Sequence, residues 1–275
     1  MLCKLSRKLH FQLLLIGLFF IPIISSAQPF SCGTYDAVFP QIIQTLDSNA
    51  VSVQDKMNKK FVVTAHIVKD TLGGYNYSIT DAVQLFADVE ASFQPINATF
   101  EVCEALYIDN WQYAHYIDTA NANEYSIVSY KANTINVYFV KRITVNNGEA
   151  AGLGTLPCGQ DVVFMTKDAD AGVLAHELGH FFGMLHTEDT NHFGSELVNG
   201  SNCTTAGDLI CDTEADFDGG GACPITVTSI DANGDFYTPP IYNIMSKYDC
   251  GPQSFTSQQY NAMVAVYKNL RSNLW

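Results

Sequence analysis

The pattern of apolar and polar positions divides the chain into a regular half and an irregular half. At Phe61 the sequence turns abruptly apolar, and the β-branched run "FVVTAHIV" (61–68) predicts a core strand. In "SITDAVQLFADVEASF" (78–93) the period changes. Ile79, Val83, Phe86 and Val89 recur at helical spacing, with Thr80 or Asp81 near the start. "TFEVCEALYI" (99–108), "TINVYFVKRI" (134–143) and the shorter "DVVFMT" (161–166) read as strands, and "DAVFPQIIQTL" as a short early helix. "VLAHELGHFFGMLH" (173–186) predicts a long amphipathic helix that ends at Gly183. From about 187 to 255 no period survives, and Gly, Asp, Asn and four cysteines dominate. The last helix is expected over Thr256–Leu270. Thr256 and Gln259 stand at capping-box spacing, and Tyr260, Met263, Val264 and Tyr267 form one apolar face. Strands and a helix followed by a stapled loop-rich half predict an α+β enzyme with a cleft between two subdomains.

The N-terminus changes this picture only by subtraction. Lys4, Arg7 and Lys8 precede the apolar run "FQLLLIGLFFIPII" (11–24), and Ser25-Ser26-Ala27 supplies small residues for cleavage, so 1–27 reads as a secretory signal peptide. The run contains Pro22 and is shorter than the roughly 20 apolar residues that span a bilayer, so no stable membrane anchor is expected. The expected location is extracellular or periplasmic. The chain carries 14 Lys+Arg against 28 Asp+Glu, a net charge of −14, and the leader holds three of the basic residues and no acid. So acidic a surface excludes nucleic acid and anionic membranes as natural partners and suits divalent cations. Oligomeric state is not legible.

The chemistry is concentrated in "HELGHFFGMLH" (176–186), an HExxHxxGxxH pattern. His176 and His180 are one helical turn apart, so both imidazoles leave the same face and reach one metal. Glu177 flanks that metal and is placed to take a proton from a water held on it. Gly183 permits a sharp turn at positive φ, which returns His186 as a third ligand. Three neutral imidazoles leave one position of a tetrahedral zinc site open, as catalysis requires. Two rivals remain at this point: a binding module that keeps the metal as a structural staple, and a zinc hydrolase acting on bonds other than peptides. A purely structural site has no need of Glu177.

The extended motif resembles that of the metzincin metallopeptidases, which add a methionine turn beneath the metal; "YNIMSKYDC" supplies Met245. Within the metzincins the chain is similar to the pappalysin family through His186-Thr187, "GDLICDTEAD" (207–216), "NIM" followed by Asp-Cys (243–250) and "FTSQQYNAM" (255–263). The resemblance covers roughly 61–270. It implies a twisted mixed sheet with the active-site helix above the cleft, and an irregular disulfide-stapled lower subdomain ending in a helix. It also implies a secreted zinc endopeptidase acting on protein or peptide substrates, with Glu177 as general base and Met245 as the floor under the histidines. The family usually has a tyrosine two residues after that methionine to hold the tetrahedral intermediate. Here the place is taken by Lys247, with Tyr248 next, so either Tyr248 or Lys247 fills the role, or activity is reduced.

The same resemblance implies calcium near Asp208, Asp212 and Thr213, against the alternative of a solvated acidic loop. It implies the disulfides Cys203–Cys223 and Cys211–Cys250, where sequence alone permits all three pairings of four cysteines. Cys103–Cys158 is the remaining pair, which leaves Cys32 over. Zymogens of this family carry a Cys-Gly whose thiolate occupies the zinc, and "SCGT" around Cys32 looks like that element. The expected organisation is then a signal peptide (1–27), a pro-segment (28–60) cut near Lys56, Lys59 or Lys60, and a catalytic domain (61–275). The alternative is that Cys32 pairs with Cys103 or Cys158 and pins the N-terminus. His66 and His192 are expected to be structural.

Overall fold

A computed structural model describes residues 33–46, 52–71, 73–117, 129–145, 148–157, 160–217, 219, 221–223, 225–251 and 253–275. The expectations for the leader, Cys32 and Cys158 lie outside these residues.

The central sheet has the order β2-β1-β4-β8-β7. Its strands are β1 (Lys59–Val68), β2 (Ala98–Ile108), β4 (Ile135–Val140), β7 (Gly152–Gly154) and β8 (Val162–Thr166). The first four in order are mutually parallel, and β7 closes the edge antiparallel to β8. β1 opens two residues before the expected Phe61. Its Val63, Ala65 and Ile67 enter the larger core, while Val68 enters a second core on the opposite face. With both faces covered, β1 from Val63 onward and all of β4 are continuously buried instead of alternating, the polar Thr64, His66 and Asn136 included. β2 bulges at Cys103, which the register with β1 skips, and Cys103 is disulfide-bonded.

The expected strand 134–143 breaks at Lys141. Beyond it β5 (Arg142–Val145) leaves the main sheet for a small one with β3 (His115–Ile117) and β6 (Gly148–Ala150). Helix α2 (Ile79–Phe93) starts from Ser78, whose side chain and that of Asp81 form a complete capping box. Its buried face is Ala82, Leu85, Phe86, Val89 and Phe93, whereas Ile79 and Val83 are 38% and 47% exposed. The helix has two neighbouring apolar stripes, and the one richer in large side chains faces the sheet. An early helix, α1 (Gly33–Gln44), places Phe39, Ile42 and Ile43 in the larger core beside the last helix, α4 (Ser257–Leu270).

The disulfides correct the expected pairing. Cys203 is bonded to Cys211 and Cys223 to Cys250, with Cα–Cα separations of 5.0 and 5.4 Å. The first pair closes a run of tight turns in which Gly207 and Leu209 both have positive φ. The second continues a strand register. In the parallel pair β9 (Gly221–Ala222) and β10 (Tyr248–Asp249), Tyr248 faces Gly221 and Asp249 faces Ala222, so Cys250 falls opposite Cys223. Both separations lie within ordinary disulfide reach, about 4.4–6.8 Å.

Candidate metal centre

Helix α3 (Ala171–Phe181) carries the first two histidines. Asp170 caps it by accepting the Val173 amide at 3.0 Å, and the helix ends before the expected Gly183. Gly183 has φ +93°, and a Cβ there would lie 3.0 Å from Val266 of α4, so both the backbone and the neighbouring helix demand glycine. The turn brings His186 back. The Nε2 atoms of His176, His180 and His186 stand 3.0, 3.1 and 3.1 Å apart. Among the described residues this triad is the one group of three or more His, Cys, Asp or Glu whose ligand atoms converge closely enough for a metal.

The second nitrogens explain the orientation. Nδ1 of His176 lies 2.6 Å from the Ile244 carbonyl and Nδ1 of His180 lies 2.8 Å from the Met184 carbonyl, so each donates there. That fixes both Nε2 atoms as lone-pair donors aimed at one point. Burial, together with the two neighbouring imidazoles, holds His180 well below the usual histidine range and keeps it neutral. Converging lone pairs of this kind are stable only around a cation, and the donor set fits zinc.

Glu177 is buried, and its Oε2 accepts the Gly154 amide at 2.5 Å. Burial raises its pKa to about 8, against the lowering effect of that bond. Strand β7 lies so close that a Cβ on Gly152 would come 2.5 Å from Glu177 Cγ, and one on Gly154 would overlap the Glu177 carbonyl. Sequence reasoning missed β7. "GLG" has no apolar period, and its only signal is two glycines flanking one apolar residue.

Met245 is fully buried beneath α3, in contact range of any side chain added at Gly179. Its turn is held by Asn243, which accepts the Met245 amide and exchanges two hydrogen bonds with Gln259. Lys247 and Tyr248 both line the cleft, a space of about 580 Å³ that also contains Glu177 and the triad. Lys247 Nζ is 2.9 Å from the buried Glu188 carboxylate. Tyr248 sits in β10 and is 4% exposed, with its hydroxyl close to Gly219.

In the lower half the structure brings Asp208 and Thr213 together. The Thr213 hydroxyl lies 3.2 and 3.1 Å from the two Asp208 carboxylate oxygens, and Oδ1 accepts the Ile210 amide. Asp212 Oδ2 accepts the Gln258 amide of α4, while its Oδ1 is buried without a hydrogen-bond partner. Glu196 is an addition that the sequence did not single out. It is 3% exposed, its Oε2 has no hydrogen-bond partner, and burial raises its pKa to about 7. Burial likewise pushes Asp208 well above the carboxylate range, with Glu196 contributing repulsion. His66 is a core residue on β1, stacked on Tyr138 at 4.1 Å, and His192 bonds Asp189 at 3.0 Å.

With this geometry the comparisons are decisive. The family model for M43 peptidases, described as pregnancy-associated plasma protein-A, matches residues 132–268, from the start of β4 into α4. The chain belongs to the M43 peptidases. It is therefore a metallopeptidase, and the histidine triad is its metal site. This M43 peptidase is 24% identical over 298 residues to an extracellular metalloprotease of Arthroderma benhamiae, covering 96% of this chain and 99% of that one. An extracellular metalloprotease of Sordaria macrospora is 30% identical over 99 residues, 36% of this chain and 30% of its own length. The fold is similar to that of mature mirolysin from Tannerella forsythia in complex with a cleaved peptide. That match has a TM-score of 0.54 at 15% identity and covers 82% of this chain and 96% of mirolysin.

Proposed function

We propose that this M43 peptidase is a secreted zinc endopeptidase in which His176, His180 and His186 hold the metal and Glu177 is the general base. The observation that carries the reading is the convergence of three Nε2 atoms within about 3 Å beside a buried carboxylate in an open cleft. Zinc, when bound, supplies Lewis acidity that polarises a scissile carbonyl and acidifies water. Glu177 takes the proton from the attacking water and passes it to the departing amine. The Gly154 amide fixes the carboxylate in place. Among the described residues β7 is the edge strand of the sheet, so an extended peptide substrate fits along it by main-chain hydrogen bonds. Lys247, which reaches the cleft, is the better placed of the two transition-state candidates, and Met245 is the packing floor. The extracellular names of the relatives and the signal-like leader support secretion. Among the described residues no helix is long and apolar enough to cross a membrane.

Two finer assignments belong to the same reading. Residues 28–60 form the pro-segment, with Cys32 as the latch. Its described part docks on α4 through Phe39, Ile42 and Ile43 and through mutual bonds of Gln54 and Ser52 with Asn261. Because β1 opens at Lys59, the cut that leaves the strand whole falls at Lys56. Calcium draws together the oxygens of Asp208, Asp212, Thr213 and Glu196, which do not converge in this structure as the histidine nitrogens do; Asp212 Oδ1 and Glu196 Oε2 are buried without a hydrogen-bond partner, and a cation would satisfy both.

The test is wild type beside Glu177→Gln, assayed on a peptide mixture with zinc content and N-termini determined by mass spectrometry. The expected result is equal zinc content and a kcat about 10²–10⁴-fold lower in the variant. Equal rates from the two proteins would refute the assignment.

A further inference from the structure

We propose that Glu188 is a positioning residue that acts on the metal site in two directions. One carboxylate oxygen orients the imidazole of His186 and also holds the ammonium of Lys247 on the cleft wall. The proposal rests on the zinc peptidase reading above and deepens it.

The geometry begins in the backbone. The Thr187 amide donates to the Met245 carbonyl at 3.2 Å, locking the end of the histidine motif beside the methionine turn. Two residues beyond His186 the chain presents Glu188, and two residues beyond Met245 it presents Lys247. Glu188 Oε1 lies 2.9 Å from Lys247 Nζ and 3.5 Å from His186 Nδ1. The Glu188 side chain is 2% exposed, and that of Lys247 is 42% exposed. The carboxylate is therefore a fixed, desolvated anchor, and the lysine is the partner that reaches the cleft. Its other oxygen is 3.5 Å from the Thr187 hydroxyl, which also donates to Asp216 at 3.0 Å.

Each contact has a separate consequence. His176 and His180 direct Nδ1 at backbone carbonyls, whereas His186 Nδ1 has a carboxylate oxygen at ion-pair distance, 3.5 Å. A carboxylate partner raises ligand basicity and fixes the ring, and losing such a partner weakens metal binding. A lysine on a free four-carbon stem samples many positions. Tied to a buried carboxylate, its charge is preorganised where negative charge develops on an attacked carbonyl. The zinc affinity should therefore depend on Glu188 alone, and kcat on both residues through Lys247.

Full-length Glu188→Gln, Lys247→Met, Lys247→Arg and the Glu188→Gln/Lys247→Met double variant separate these roles. Zinc affinity is read by competition with a chromophoric chelator, kcat and KM on one peptide at saturating zinc, and folding by thermal melts. Glu188→Gln is expected to bind zinc about 10–100-fold more weakly, while Lys247→Met binds it as wild type does. Lys247→Met lowers kcat by about 10²-fold with little change in KM, and Lys247→Arg recovers most of it. The double variant has the kcat of Lys247→Met alone, because the two residues act as one unit. Wild-type zinc affinity in Glu188→Gln, or a double variant whose loss is the product of the singles, overturns the proposal. If Glu188→Gln does not fold, an unchanged kcat in Lys247→Met overturns it alone. A wild type that holds no zinc or cleaves nothing sinks the peptidase reading and this proposal with it.

Discussion

His66 makes the fold acid-sensitive by an amount that can be worked from its surroundings. The imidazole is fully buried between β1 and β4, with Nε2 2.9 Å from Asn136 Oδ1, its ring stacked on Tyr138, and Nδ1 without a partner. Burial lowers its pKa from 6.5 to about 4; the Asn136 contact opposes the shift and the positive charge of Lys131 adds to it. The folded protein therefore keeps the ring neutral where the unfolded chain protonates it. Stability from this group is complete above about pH 6.5 and falls as the pH drops toward 4, where the folded state also takes the proton. Each tenfold difference in proton affinity is worth about 1.4 kcal/mol, so the loss over this window is about 3 kcal/mol. His66→Leu removes the titration, and Asn136 Oδ1 still accepts the Lys131 amide at 2.8 Å, so no new unpaired acceptor is created. Urea unfolding of wild type and variant, both stripped of metal, at pH 7, 6, 5 and 4 is the assay. The difference in unfolding free energy should shift by about 3 kcal/mol in favour of the variant across the series. A constant difference at all four pH values would refute the argument.

Three further outcomes follow from the geometry. Gly154→Ala drives a Cβ into the Glu177 carbonyl, so kcat should fall at least about tenfold through displacement of the base, with zinc content by mass spectrometry unchanged. Gly179→Ala meets Met245 Sδ and Phe255 and should cost about 1–3 kcal/mol of overpacking, visible as a lower Tm, whereas Met245→Leu should cost less. Calcium should raise the Tm of wild type, more at pH 8 than at pH 5. The raised carboxylates of Glu196 and Asp208 are costly to ionise in the fold, and that cost is felt once the pH exceeds the ordinary carboxylate range. Glu196→Gln should blunt the calcium response in differential scanning fluorimetry.

The features that proved legible are those in which one short stretch carries the whole instruction. HExxHxxGxxH fixes both histidines of one helix face, the turn at Gly183 and the returning His186 within 11 consecutive residues. Thr256 and Gln259 announced the start of α4 for the same reason. What escaped the sequence depends on distant partners. Lys247 stood out in the sequence, but Glu188 looks unremarkable until the Thr187–Met245 bond aligns their segments. The pairing of Cys223 with Cys250 is decided by a two-residue strand register between loops, which leaves no periodic trace. Strand β7 is shaped by the absence of side chains, and hydrophobic periodicity has nothing to register there. On α2 the period was right and Phe86 and Val89 do face the core, but Ile79 and Val83 do not, because two apolar stripes adjoin and only packing selects between them.

The last helix explains why the site needs the whole chain behind it. α4 touches the metal centre from three sides. Gln259 at its N-terminus holds Asn243 and so the methionine turn. Val266 in its middle packs on Gly183, where the histidine motif turns back. Just beyond its end, the buried Arg271 pairs with Asp161, donates to the Thr155 carbonyl at 2.9 Å, and lies 3.7 Å over the Phe181 ring of α3. Thr155 immediately follows Gly154, the donor to Glu177. One helix thus fixes the floor under the metal ligands, the turn that returns the third ligand, and the strand that clamps the base. None of these three contacts is local in sequence, so the chemistry in residues 176–186 is set by residues some 80 positions downstream as firmly as by the motif itself.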